Sequence, residues 1–362
     1  MLISALFHVK GPAAAETKAA VEYASALIEH AEKLGEQPQD PLLLFSVLYG
    51  GWVANYVAFN GDIMRALAAQ FLALAQKQGG AVPLMIGHRI MGISSAFAGH
   101  LAEGRSHYDQ ALVLYDPVEH PPLAPRFGQD NKSSVLSYRA FALWLLGYPD
   151  AAQAEANHAL SHARHVGHAG TIMNTLSLVP IVPFLCGDNA TTEGQLDELI
   201  ALAEEKNALF WKMFAMLGKG GLLATTGKAV EAIQIFVSGM KGFRSTGATM
   251  FEPWWLHHLG RAHARLGALD DASRCLDEAL TMVETRKDRW SEPELHRIAG
   301  EIALKSPKRD VAKAQACFDR ALIVARAQQA KSWELRAAMS LARLWARSRQ
   351  AQGRAQSACA GL

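Results

Sequence analysis

The sequence is short of charge, of cysteine and of long apolar runs, and each shortage excludes a class of protein. Charged residues make up 19% of the 362 positions while 50% are hydrophobic. That balance rules out an extended disordered chain, which is rich in charge and poor in apolar residues. The four cysteines, Cys186, Cys275, Cys317 and Cys359, stand far apart with no C-x-x-C pair. Such spacing supports neither a disulfide framework nor a zinc ribbon, and a reducing cytoplasm is the expected compartment. No uninterrupted apolar run approaches the roughly 18 residues of a membrane span. The run Leu2 to Phe7 is short and has no positive charge before it, so neither export nor membrane attachment is expected.

Catalytic signatures are missing as well. Gly-x-Ser-x-Gly, H-E-x-x-H and paired-carboxylate motifs do not occur. The nearest string to a phosphate loop, Gly221 to Lys228, has one residue too many between its glycines, and Ala229 stands where the magnesium-binding hydroxyl belongs. The expectation is a non-enzymatic chain with no cofactor. His158, His162, His165 and His168 fall along one helix face, a spacing that a metal site would use. No Cys, Asp or Glu joins them to complete a shell, so a solvated face is expected instead.

What the sequence does have is a period. Gly61, Gly99, Gly147, Gly187, Gly227 and Gly267 are separated by 38, 48, 40, 40 and 40 residues. Around them a finer pattern recurs: a small residue, glycine seven later, a small residue at plus 12, a filler at plus 16 and a small residue at plus 19. Ala140, Gly147, Ala152, Ala156 and Ala159 match it, as do Gly260, Gly267, Ala272, Leu276 and Ala279. Gly220, Gly227, Ala232, Phe236 and Gly239 match again, and so do Gly92, Gly99, Gly104, Tyr108 and Ala111. Ala54, Gly61, Ala66, Gln70 and Ala73 carry one polar filler; Gly300 with Ala314, Phe318 and Ala321 follows after an insertion around Ser306-Pro307. Small residues let antiparallel helices approach, the glycine ends the first helix of a pair, and the filler plugs the next interface. The expected fold is all-α, a superhelical solenoid of antiparallel helix pairs with a period of about 40 residues.

Prolines mark the irregular places. Pro180 and Pro183 fall in the first helix of the fourth copy and predict a break between Thr175 and Asp188. The connector Asp116 to Ser133 holds Pro117, Pro121, Pro122 and Pro125 and accounts for the one long spacing, with Asp130 placed to cap the next helix. It reads as a surface loop, or alternatively as a loop over the groove mouth that offers His120, Arg126 and Gln129 to a ligand. The expected organisation is a poorly ordered segment at 1–15 and a solenoid over 16–345. A basic Arg/Gln/Ala-rich tail at 346–362 lacks a last helix, as a truncation would leave it.

This pattern resembles that of tetratricopeptide repeat proteins, with longer repeats, and the resemblance implies a right-handed superhelix. Phe127-Gly-Gln-Asp130, Leu145-Leu-Gly-Tyr-Pro-Asp150, Trp290-Ser-Glu-Pro-Glu-Leu295, Ala330-Lys-Ser-Trp-Glu-Leu-Arg336 and Ser340-Leu-Ala-Arg-Leu344 occur in that order. Together they look like the C-terminal repeat region of bacterial signalling proteins that join a class III adenylate or guanylate cyclase domain, an AAA-like ATPase module and a tetratricopeptide tail. That resemblance implies a regulatory part detached from its catalytic and ATP-binding domains. The chain departs from it at Asn131, where those proteins usually carry proline, and again after Leu344.

In a tetratricopeptide superhelix the first helix of each pair lines the concave surface. Placing the repeats in register points Arg89, Phe97, Phe141, Trp144, Asn174 and Phe184 into the middle of the groove. Trp254, His257, Arg261, Arg265, Arg297 and Glu301 fall in its later part. An aromatic stretch followed by a cationic one suits a protein or peptide segment held by ring anchors and forked arginine contacts, with a small-molecule ligand as the alternative. The net charge of +2 hides a gradient: residues 1–240 carry 15 Lys/Arg against 21 Asp/Glu, and residues 241–362 carry 21 against 13. Arg336, Arg343, Arg347, Arg349 and Arg354 make the end basic, yet solenoids that read nucleic acid use more regular codes, so no nucleic-acid partner is expected. An uncapped C-terminal face raises a homodimer through the last repeats as a further expectation.

Overall fold

The computed structural model describes residues 42–306 and 309–360, together with Ala19, Glu22, Tyr23 and Ala26, the side chains of 347–360 excepted. The expected segment 1–15, the start of the array at residue 16, and Pro307 lie outside the described residues. The helices are α1 (Leu43–Val57), α2 (Gly61–Gln78), α3 (Ala81–Phe97), α4 (Leu101–Val113), the single turn α5 (Ala124–Phe127), α6 (Asn131–Leu145) and α7 (Pro149–Val166). They continue as α8 (Ala169–Leu178), α9 (Ile181–Cys186), α10 (Asn189–Glu205), α11 (Leu209–Thr226), α12 (Ala229–Ser245), α13 (Glu252–Arg265), α14 (Leu269–Arg286), α15 (Glu292–Ala303), α16 (Val311–Ala327) and α17 (Lys331–Ala360). Consecutive helices pair antiparallel, and the fold is the all-α repeat solenoid that the period requires. Pro180 splits the fourth first-helix into α8 and α9, because its ring and missing N–H cannot continue the hydrogen-bond ladder. The apolar stretch Ala169–Cys186 that contains this break is 72% buried inside the fold. At the other end, α17 runs on as one 30-residue helix past residue 345, where the sequence reading had ended the helical array. Arg, Gln and Ala are good helix formers, and nothing between Trp345 and Gln352 breaks the helix.

Close packing within pairs explains the small residues. A Cβ on Gly92 would stand 2.5 Å from the Tyr108 ring, and one on Gly300 would stand 2.6 Å from the Phe318 ring. In each case the filler occupies the space that the glycine leaves. Gly99, Gly147, Gly187, Gly227 and Gly267 end their helices with φ between 82° and 104°, as expected. Gly61 does not: Phe59 takes the left-handed conformation in that turn, with φ 45°. The reason for glycine at 61 is different. A Cβ there would sit 2.6 Å from the carbonyl oxygen of Arg286, at the end of α14.

That contact belongs to a set the repeat pattern does not reveal. The turn after α1 meets the α12–α13 connector, where Thr249 and Met250 donate their N–H groups to the Val57 carbonyl at 2.9 and 3.0 Å. One repeat on, Arg289 and Trp290 donate to the Phe97 carbonyl at 2.8 and 3.2 Å. A third repeat places the Ser332 hydroxyl on the Trp144 carbonyl. The Thr249 hydroxyl also donates to the Ala58 carbonyl, 191 residues away, and Ser332 and Trp144 are 188 apart, so one superhelical turn takes roughly five repeats and the next turn stacks on it. The superhelix is therefore closed on itself. The first helices of the pairs converge on a shared aromatic interior in which Phe97 touches Tyr56, Tyr138, Phe141, Phe251 and Trp290.

Asp288 lies beside this closure, 1% exposed. Burial pushes its carboxyl up to about 8, with Arg286 opposing. In the unfolded chain the group titrates near 4, so folding takes up a proton between about pH 4 and 8. Its contribution to stability is largest below that window and declines as pH rises through it. Asp288→Asn, which stays neutral, is expected to flatten the fall in urea midpoint between pH 5 and 8 and to be more stable than the parent chain at pH 8. An unchanged pH slope in the variant would show that the carboxyl is already ionised in the fold.

Candidate functional site

The interior is not filled throughout. Between α1, α6, α8 and α11 lies a half-enclosed cavity of about 70 Å³. One wall is the Tyr49, Trp52, Tyr56 stripe of α1, whose spacing of three and four puts the rings on one face. Neighbouring rings stack at 6.0 and 5.2 Å. Tyr138 closes another side and donates its hydroxyl to that of Tyr56 at 2.9 Å, and Phe210, Trp211, Phe214 and Met250 complete the apolar lining. The proline-rich connector supplies the remainder: Phe127, Gly128 and Gln129 line the cavity. This is the covering role that the sequence reading kept as its alternative to a surface loop. Gln129 donates to the Tyr49 hydroxyl at 3.3 Å, while Arg126 turns away to the Ser46 hydroxyl at 2.8 Å and His120 is buried against Tyr115. Asp130 caps α6, accepting from the Ser133 N–H at 2.8 Å.

The polar groups around this cavity are unusual in their lack of partners. Arg89 on α3 is 0% exposed, and none of its three guanidinium nitrogens has a hydrogen-bond partner. It stands over the Tyr49 ring at 4.9 Å. Its field also reaches Tyr138. In the cavity wall, Asn174 Oδ1 and Trp211 Nε1 are buried without partners. On α6, Asn131 and Ser134 share a face with Tyr138 by their spacing and are likewise buried and unpaired. Each such group costs about 1–3 kcal/mol relative to its hydrated state.

The other residues expected in the middle and later groove lie elsewhere in the packing. Phe141, Trp144 and Trp254 are core rings: Phe141 meets Trp290 at 4.8 Å, Trp144 meets Trp333 at 4.9 Å, and Trp254 meets Trp290 at 5.0 Å. Phe184 packs on His258 at 5.3 Å. One of the cationic residues, Arg297, is spent within the fold. Arg297, 6% exposed, holds both oxygens of the buried Glu294 through Nε and Nη2 at 2.7 Å and bonds Glu301 through Nη1. Arg336 adds a third donor to Glu294 at 2.8 Å. Burial raises the Glu294 carboxyl, but Arg297 and Arg336 overcome it and hold the group at about 2. Burial takes His257 down to about 3, with Arg261 adding to the effect. Arg261 makes no ion pair among the described residues, and burial followed by Arg297 and Arg336 lowers its proton affinity. Arg265 is exposed and reaches the Thr225 carbonyl at 3.5 Å. Of the three arginines in the cationic stretch, Arg297 is neutralised within the fold, as a buried guanidinium beside buried carboxylates must be, while Arg261 and Arg265 are not, among the described residues.

The histidine run is equally dispersed. His162 bonds the Ser133 hydroxyl at 3.0 Å, His168 caps α8 by accepting from the Thr171 N–H, and His158 and His165 are exposed. No group of three potential ligands for a metal occurs among the described residues. Of the residues expected in the groove, Asn174 lines the cavity and Arg89 lies behind it, against the wall residue Tyr49. Sequence reading missed Tyr49, Trp52, Tyr138 and Trp211; the aromatic stripe on α1 was the available signal.

No family model matches the chain, and no curated protein matches it in sequence. Solved structures match in fold. The chain is similar to a Rap protein complexed with Competence and Sporulation Factor, with TM-score 0.65, 14% identity and coverage of 98% of this chain and 96% of that one. It is also similar to NprR in complex with its cognate peptide NprX, with TM-score 0.57, 12% identity and coverage of 85% and 88%. At such identities the likeness is one of fold, a tetratricopeptide-type helical repeat array. The resemblance to cyclase–ATPase tails finds no support in these comparisons.

Proposed function

We propose that the chain is a non-enzymatic, ligand-sensing regulator that binds a short peptide segment at its closed aromatic interior. The observation that carries this reading is the set of buried, unpaired polar groups at one apolar cavity, Asn174 and Trp211 in its wall and Arg89 behind the wall residue Tyr49. A fold leaves such groups unsatisfied at a cost, and a ligand with backbone amides and an apolar side chain offsets that cost on binding. Likeness of fold to two proteins solved with a bound peptide or factor supports the same reading. Occupancy is conveyed by the closure, because the cavity residue Met250 also donates to the Val57 carbonyl.

Selection from a displayed library of random short peptides against the immobilised chain tests this. Enriched peptides are expected to change the intrinsic tryptophan emission and to bind Asn174→Ala about tenfold more weakly, the worth of one good hydrogen bond. Failure to enrich any sequence over the bare support, or equal affinity for the variant, would overturn the reading.

A further inference from the structure

We infer that Arg89 is the anchor for a carboxylate carried at the end of an apolar or aromatic ligand, and that the cavity beside it takes the ligand's terminal side chain or ring. This rests on the cavity being the binding site, and it names the chemistry the site selects. Arginine cannot escape burial by losing its proton, so a guanidinium in the interior needs a counter-charge. Among the described residues Arg89 has none: it is fully buried, makes no ion pair there, and its five N–H donors meet no acceptor. Glu103 is held by Arg65 and Ser95, and Asp130 by Ser133, Tyr115 and His162. Asp288, buried and without a hydrogen-bond partner, is not paired with Arg89 either, and burial raises its carboxyl to about 8, which favours the neutral form at pH 7.

The surroundings select what the anion is attached to. Arg89 stacks on Tyr49, a ring of the cavity wall that is held by one long bond from Gln129. Arg89 does not itself line the cavity, so the anchor requires the Tyr49 ring to turn aside on binding. Stacking on tyrosine leaves the guanidinium edge, which carries all the donors, free to fork onto two carboxylate oxygens. The cavity itself, with about 70 Å³ between aromatic rings, suits a small side chain or ring, with the rest of the ligand at its open side. Asn174 Oδ1 and Trp211 Nε1 supply one acceptor and one donor, the complement of a single peptide unit. A phosphate dianion fits less well, because the site offers one cation and apolar walls to two charges. The chemistry is therefore that of a monocarboxylate on an apolar body, whether a peptide C-terminus or a free small acid.

Titration calorimetry on the full chain distinguishes these, using matched pairs of probes. The first pair is N-acetyl-Ala-Leu-Phe as the free acid and as its amide; the second is 3-phenylpropionate and 3-phenylpropionamide. At least one acid is expected to bind about tenfold or more tightly than its amide. In Arg89→Met, which keeps the volume of the side chain and removes the buried charge, that preference is expected to disappear while the melting temperature holds or rises. Equal binding of acid and amide by the parent chain, no binding of either acid, or a preference that survives in Arg89→Met would each overturn the anchor. The parent-chain comparison decides the matter even where Arg89→Met fails to fold. If the peptide pair binds equally well as acid and amide and phenylpropionate shows no acid preference, the peptide-binding reading stands and the anchor falls. If acid preference appears with phenylpropionate and neither peptide binds, the anchor stands and the peptide reading falls.

Discussion

Trp290→Ala is expected to cost about 3–5 kcal/mol of stability, the range for truncating a large ring in a core that cannot collapse around the void. Trp290 is 0% exposed. Its ring contacts Phe97, Phe141, Phe251 and Trp254, from three different repeats. Its backbone joins the two superhelical turns, the N–H donating to the Phe97 carbonyl and the carbonyl accepting from Trp333 Nε1 at 3.0 Å. One residue therefore links the first turn, the second turn and the last helix. A domain with a net stability of about 5–15 kcal/mol would lose a large fraction of it. Trp345, 48% exposed on α17, is the control, since truncation at the surface changes stability by about 0.5 kcal/mol or less. Denaturant midpoints of the two variants give the comparison, and small-angle scattering reports whether Trp290→Ala also loosens the closure. Equal midpoints would show that the second turn rests on the first without depending on this ring.

The same residue shows how far the sequence could be read. Contacts between neighbouring helices are periodic, because each repeat solves the same packing problem; hence Gly92 with Tyr108 and Gly300 with Phe318 were legible as a spacing. Contacts between superhelical turns are not periodic. They use the carbonyls of Val57, Phe97 and Trp144, which any residue possesses, and they join segments about five repeats apart. Closure was therefore invisible, and with it the fate of the groove. Gly61 fitted the repeat for the wrong physical reason, since its lost Cβ serves the Arg286 carbonyl and not a left-handed turn. Register alone placed Arg89 and Asn174 inward. It could not show that Arg297 would be consumed by Glu294 and Glu301 while Arg89 would be left without a partner, because pairing depends on which repeats the closure brings face to face.

Glu294→Ala should be as damaging as the loss of Trp290, by a different route. Glu294 is 2% exposed and is the shared acceptor of Arg297 and Arg336. Removing it leaves Arg297 in the interior with only the half-exposed Glu301 and next to Arg261, and breaking a buried pair by deleting one partner costs about 3–5 kcal/mol. Because the carboxyl is held at about 2, below its usual 4.5, its contribution is complete above about pH 5 and is lost as pH falls toward 2. The effect of the substitution should therefore be the same at pH 6 and pH 8. Glu334, paired with Arg326 and Lys331 at the surface, provides the contrast, since a solvated pair contributes about 0–1 kcal/mol. The decisive variant is the double replacement Glu294→Met with Arg297→Met. Apolar residues of similar volume remove both desolvation costs, so the double variant should recover most of the stability that Glu294→Ala loses. If the double variant is no more stable than the single, the pair does more than cancel its own burial, and Arg297 must be holding Glu301 and Ser340 in a position that α17 needs in order to dock.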